Sequence, residues 1–138
     1  MVKEITVRIT RQGLHEITRQ VAEIVGESGI SEGLCTVFIR HTSASVVIQE
    51  NADPSAAHDL EQWLNRLVPE DNPHFTHKAE GPDDMPSHIK AALTAVSLGI
   101  PVMGGRLALG RWQGIFLWEH RRAVHERKVV VQVMGEAA

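Results

Sequence analysis

An α+β fold, with a mixed β-sheet and about three helices in one compact domain across residues 1–138, follows from three features of the sequence. Several runs, residues 3–9 and 35–41 foremost, alternate apolar and polar side chains with the period of a half-buried strand. Three other stretches repeat apolar residues at helical spacing. The two kinds of run interleave without the strict β-α-β alternation of a parallel sheet.

The elements read in order as follows. Ile5, Val7 and Ile9 share one face of a first strand, with Glu4, Thr6 and Arg8 on the other. Leu14, Ile17, Val21 and Ile24 follow helical spacing, and Gly26 and Gly29 supply the permissive backbone that ends a helix. A strand resumes at Leu34; Cys35, Val37, Ile39 and His41 fall on one of its faces, so that His41 arrives at a strand end. After the polar turn at 42–45, Val46 to Ile48 reads as a short strand. Asp53 then caps a helix that has Pro54 in its first position and Ala57, Leu60, Leu64 and Leu67 as its apolar stripe. Residues 69–86 hold four of the six prolines and read as a long loop. Asp83 and Asp84 open a third helix with Ile89, Leu93 and Val96 along its apolar face. Beyond Gly99 and Pro101, strands are expected at Arg106–Leu109, Gln113–His120 and Lys128–Met134, with turns at 110–112 and near 123–126.

Composition excludes several classes of function. The formal charge is −3, so the chain as a whole lacks the basic balance of a nucleic-acid-binding protein, and any anion site is local. The single cysteine, Cys35, forms no internal disulfide, and the N-terminus alternates like a strand instead of forming a signal-peptide core. Both features predict a cytoplasmic protein. No apolar run approaches the roughly 18 residues a membrane-spanning helix needs, so neither membrane nor nucleic acid is expected as a partner. Eight histidines, against no tyrosine, direct attention to proton transfer and metal ligation.

Four groups of residues carry candidate chemistry. His41, Thr42, Ser43, Ala44 and Ser45 place an imidazole and hydroxyls at a strand end, either facing a cleft or as an ordinary Ser/Thr turn. The Gly-x-Ser-x-Gly elbow of a serine nucleophile is missing. Glu50 and Asn51 stand just before the Asp53 cap, where they can orient a metal-bound water or a substrate hydroxyl. His77, Asp83, Asp84 and His88 fall within twelve residues spanning a loop and a helix start, and can supply part of a divalent metal site. Their spacing matches no local motif such as His-Glu-x-x-His. Gly104-Gly105-Arg106 and Gly110 to Gly114 set arginines among glycines, either approaching a phosphate or simply forming hairpin turns. Glu119 and His120 are strand neighbours that point to opposite faces, and Trp112 and Trp118 read as core or subunit-contact aromatics.

Three blocks, HTSASVVIQENAD from His41, EGPDDMPSHIK from Glu80 and SLGIPVMGGRLALGRWQGIFLWEHR from Ser97, resemble the YjbQ family, and the likeness covers nearly the whole chain. The resemblance implies a single YjbQ-like domain with an α+β fold, assembled as a homotrimer with its shared polar residues near subunit boundaries. Its polar positions fall here on His41, Ser43, Glu50, Asn51, Asp53, His77, Asp84, His88, Arg106, Gln113, Glu119 and His120. Arg111 departs from the family pattern, which usually has Thr before Trp-Gln.

The activity associated with the family is secondary thiamine-phosphate synthase. Such an enzyme joins a pyrimidine methyl diphosphate to a thiazole phosphate and releases pyrophosphate. On that reading His41, Ser43, Glu50, Asn51, Asp84, Arg106 and Glu119 form the catalytic set, with Arg106 beside the leaving diphosphate. His41, His77 and His88 converge on a divalent metal, zinc first, with magnesium suited to a diphosphate substrate. Two alternatives stand beside it: a metal-dependent hydrolase or lyase on a small phosphorylated or carbonyl metabolite, with Glu50 or Asp84 as general base, and a non-catalytic trimeric metal-binding protein.

Overall fold

In a computed structural model, which describes residues 1–123 and 125–138, three helices accompany two antiparallel sheets. The elements are β1 Val2–Ile9, β2 Gly13–Glu16, α1 Thr18–Ser28, β3 Ile30–Ile39, β4 Ala44–Glu50, α2 Pro54–Leu67 and α3 Asp84–Leu93. They are followed by β5 Ser97–Met103, β6 Arg106–Leu107, β7 Gln113–Glu119 and β8 His125–Ala137. The larger sheet has the order β1-β8-β3-β5-β6 and the smaller β2-β7-β4. The α+β class and three helices are as expected; the single mixed sheet is instead two sheets, and every described strand pairing is antiparallel.

Alternation along the strands assigns each side chain to a layer. Val37 and Ile39 of β3, Val129, Val131 and Val133 of β8, Val46 of β4 and Ile115 and Leu117 of β7 meet Val21 and Val25 of α1 in the main core. The opposite face of β7 turns Phe116 and Trp118 toward Leu14, Leu64 and Val68, forming a second cluster beneath α2. Strand β7 is therefore buried on both faces, which explains its continuous apolar run. The outer face of the large sheet lies open, with Val2, Leu34, Phe38 and Met134 exposed.

Four local expectations are revised. Leu14 belongs to β2, opposite Trp118, and its amide donates to Glu61 Oε2 at 2.6 Å, so α1 begins only at Thr18. Residues 97–103, where no strand is expected from the sequence, form β5. Pro101 fits there because its carbonyl accepts from Ala108 N at 2.8 Å while its missing N–H faces the side where the two-residue β6 ends. In α3 the buried stripe is Asp84, Ser87, Lys90 and Ala91, whereas Leu93 and Val96 are exposed; in α2, Leu67 is exposed as well. Of the turn expected near 123–126, Val124 lies outside the described residues, and His125 and Glu126 already belong to β8, paired with Ile9 and Arg8. Among the described residues no helix is long and apolar enough to cross a membrane.

Candidate functional site

The chain brings His77, Asp84 and His88 together. Asp84 and His88 are four residues apart on α3 and so share a face, while His77 approaches from the 69–83 loop. Their ligand atoms lie within 4.8 Å of one another. Asp84 is the buried member, and its Oδ2 stands 2.7 Å from His77 Nε2 and 3.0 Å from His88 Nε2. Its Oδ1 accepts from Arg121 Nη1 at 2.6 Å. Burial opposes ionisation of Asp84, but the His77 hydrogen bond and the nearby His88 and Arg121 charges together hold its carboxyl below the usual carboxylate range.

The geometry of His88 decides what this cluster can do. Its Nδ1 lies 2.8 Å from the Thr42 carbonyl oxygen, which can only accept, so Nδ1 carries the hydrogen. In the neutral ring Nε2 is then a lone pair facing the carboxylate oxygen of Asp84. Two acceptors at 3.0 Å require either a proton or a cation between them. A backbone carbonyl that fixes the tautomer in this way is the usual outer partner of a metal-binding imidazole.

His41 does not complete the trio. Its Nε2 accepts from Lys128 N at 2.8 Å, so that nitrogen is occupied, and Asp84 stands where His41 was expected. Burial, reinforced by the charge of Arg127, lowers the pKa of His41 and keeps the ring neutral. His41 and His88 instead line one cleft of about 460 Å³ with Thr42, Ala91, Ala92 and Val96.

Ser43 and Glu119 are buried and tied to Arg127. Glu119 is fully buried, accepting from Arg127 Nε at 2.7 Å and from the Arg121 amide at 3.0 Å, and Arg127 Nη2 also donates to Ser43 Oγ at 3.0 Å. They act at one remove: Glu119 fixes the main chain of Arg121, whose guanidinium fixes Asp84. His120 is buried beside them, with Nε2 2.9 Å from Ser45 Oγ. Burial, with the charges of Lys90 and Arg127, pushes its pKa down to about 3.

Glu50, Asn51 and Arg106 lie elsewhere in the chain. Glu50 accepts the amides of Ala52 and Asp53, and Asn51 donates to Glu16 Oε2. Both sit at the far end of β4 from Ser43, about 20 Å at the rise of a strand. Arg106 is on β6, opposite Met103 and near the Gly33 end of β3, about the same distance from the end that leads to His41. Arg121 and Arg127, which organise the cluster, were not among the candidates. Their only sequence signal is a pair of arginines after Glu119-His120 and a charge within the apolar alternation of β8.

The comparisons with known proteins agree with this architecture. Residues 3–136 match the family model described as UPF0047 protein YjbQ-like. A UPF0047 protein of Synechocystis is 53% identical over 135 residues, covering 97% of this chain and 92% of that protein. The UPF0047 protein YjbQ of Salmonella typhimurium is 42% identical, covering 97% of each. A YbjQ-like protein of unknown function from Sulfolobus solfataricus superposes with a TM-score of 0.90 at 29% identity, covering 99% of this chain and 97% of that one. An uncharacterised conserved protein of the YjbQ/UPF0047 family from Clostridium acetobutylicum gives 0.84 at 34%, covering 97% and 99%. With the match running from the first strand to the last, this chain belongs to the YjbQ-like UPF0047 family.

Proposed function

We propose that His77, Asp84 and His88 hold a divalent cation, zinc by preference, and that the chain uses it on a small phosphorylated metabolite. The reading is carried by His88, whose Nε2 stands 3.0 Å from Asp84 Oδ2, a separation that needs a proton or a cation between them, while the Thr42 carbonyl holds Nδ1. Two imidazoles and one carboxylate suit zinc and leave coordination positions open to other ligands, the pattern of a catalytic site more than of a closed structural one. A cation bound there polarises a carbonyl or phosphoryl oxygen. Asp84 orients both rings, Arg121 holds the carboxylate in place, and the cleft beside His88 takes the uncharged part of a ligand.

Metal-assisted hydrolysis or elimination suits this arrangement better than synthase chemistry, because in one chain Arg106, the cation expected beside a leaving diphosphate, is remote from the cluster. The homotrimer is part of the proposal. The open face of the large sheet, with Leu34, Phe38 and Met134 exposed, supports burial against further copies, and a cyclic arrangement can set the Glu50 and Arg106 end of one copy near the histidine cluster of the next.

Zinc titration by calorimetry, followed by sedimentation equilibrium, tests the reading. One zinc per chain is expected, with affinity falling at least about tenfold in His77→Ala and His88→Ala while assembly is unchanged. Equal zinc affinity in wild type and both variants rejects the site. Purified protein supplied with the pyrimidine diphosphate and thiazole phosphate, beside a panel of phosphate esters, then separates synthase from hydrolase.

A further inference from the structure

A second polar cavity lies on the other side of α3. It has a volume of about 260 Å³ and is lined by Gln12, Asn65, Val68, Glu70, Lys90 and Arg122. Lys90 is only 4% exposed, yet its ammonium has a single described hydrogen-bond partner, the neutral amide oxygen of Asn65 at 2.6 Å. An ammonium carries three donors, so two are left without a described protein acceptor.

The carboxylates nearby are already engaged. Glu70 is held by Arg122, Nε to Oε1 at 2.8 Å and Nη2 to Oε2 at 3.0 Å. Asp83 accepts the Arg122 amide at 2.9 Å and lies 3.2 Å from Arg121 Nε. The three charged side chains lining the cavity thus sum to one positive charge, and it resides on the deepest of them. A buried charge without a bonded counter-ion is costly, and an anion entering the cavity relieves that cost. Gln12 and Asn65 hold one another at 3.4 Å and close the neutral side.

We propose that this cavity is a binding site for a small oxyanion, the phosphate or carboxylate group of a metabolite, with Lys90 as its principal ligand. The site is separate from the His77, Asp84 and His88 cluster and needs no metal.

Thermal unfolding of the full chain in EDTA tests it, with inorganic phosphate in one arm, acetate in a second and chloride at matched ionic strength as the reference. A rise in melting temperature with phosphate or acetate over chloride is expected; no rise with either overturns the proposal. In Lys90→Met the rise should vanish, while stability in chloride equals or exceeds that of wild type, because a buried unpaired charge has been removed. A retained rise, or a folded variant less stable than wild type in chloride, overturns the assignment, the second outcome making Lys90 a structural strut. If Lys90→Met does not fold, Glu70→Gln decides. Freeing Arg122 from its carboxylate should tighten phosphate binding about 2–5-fold, and unchanged affinity overturns the proposal.

Discussion

Acid should unfold this protein through His120. The side chain is 1% exposed and its pKa is pushed down to about 3 by burial first and by the charges of Lys90 and Arg127 second. A free histidine titrates near 6.5, so between these values the unfolded chain binds a proton that the folded chain refuses. The sign follows: His120 leaves stability intact above pH 6.5 and subtracts from it as pH falls toward 3. Linkage with these two values gives a loss of about 2 kcal/mol between pH 7 and pH 5, and about 1.4 kcal/mol per further pH unit until the folded ring itself protonates. Asp83 and Asp84, whose carboxyls are held low, add acid sensitivity only below the ordinary aspartate range. Urea unfolding at pH 7, 6 and 5, repeated with His120→Gln, isolates the contribution. Glutamine does not titrate and retains a polar group for Ser45, so the variant should lose about 2 kcal/mol less over the same interval, whatever its stability at pH 7. Parallel pH profiles for the two proteins would show that His120 either protonates in place or is reached by water, and would refute the argument from burial.

The other expectations concern the scaffold. Gly33 and Gly26 should respond oppositely to alanine. A Cβ on Gly33 meets the Met134 carbonyl oxygen at 1.9 Å, backbone against backbone between β3 and β8, and should cost on the order of 1–3 kcal/mol. A Cβ on Gly26 meets nothing within 4 Å in the interior of α1 and should add about 0.5–1 kcal/mol; thermal melts of the two variants settle both. Arg127→Met strands the buried Glu119 carboxylate and should cost about 3–5 kcal/mol in urea unfolding, whereas Glu119→Leu combined with Arg127→Met should recover most of it. A double variant as unstable as the single one would mean the pair is not the source of the loss.

The parts of the fold legible in the sequence are those whose burial is one-sided. β1, β3 and β8 alternate because one face of the large sheet meets the core and the other is open. α2 starts where Asp53 and Pro54 say it does, with Asp53 Oδ1 accepting the Ser55 amide at 2.9 Å. The failures come where tertiary pairing overrides a local pattern. Leu14 continues a helical stripe on paper, but opposite Trp118 it completes the small sheet. Pro101 looks like a breaker, but lies in β5 with its missing donor where no strand continues. Apolar spacing puts Ile89, Leu93 and Val96 on one stripe of α3; Ile89 does pack against the second cluster, but the helix turns Asp84, Ser87 and Lys90 inward and leaves Leu93 and Val96 exposed.

That reversal explains why the site was only half visible. His77, Asp84 and His88 could be grouped from spacing along one loop and one helix turn, since contacts of that kind are local. The reason they form a site is non-local: Thr42, after β3, sets the tautomer of His88, and Arg121, after β7, holds Asp84. Beneath them Glu119 and Arg127 join adjacent stretches of two strands and secure the Arg121 backbone. A buried carboxylate on the inward face of a helix is costly unless such partners exist, so finding Asp84 there implies a network that the sequence cannot spell out. Glu50 and Arg106 show the converse. Read along the chain they are polar residues near glycines and a helix start, and within one chain Glu50 lies at the end of β4 far from Ser43 and Arg106 beside the end of β3 far from His41. A role for them at that cluster therefore depends on a second copy, which makes the assembly state the measurement on which the larger catalytic set stands or falls.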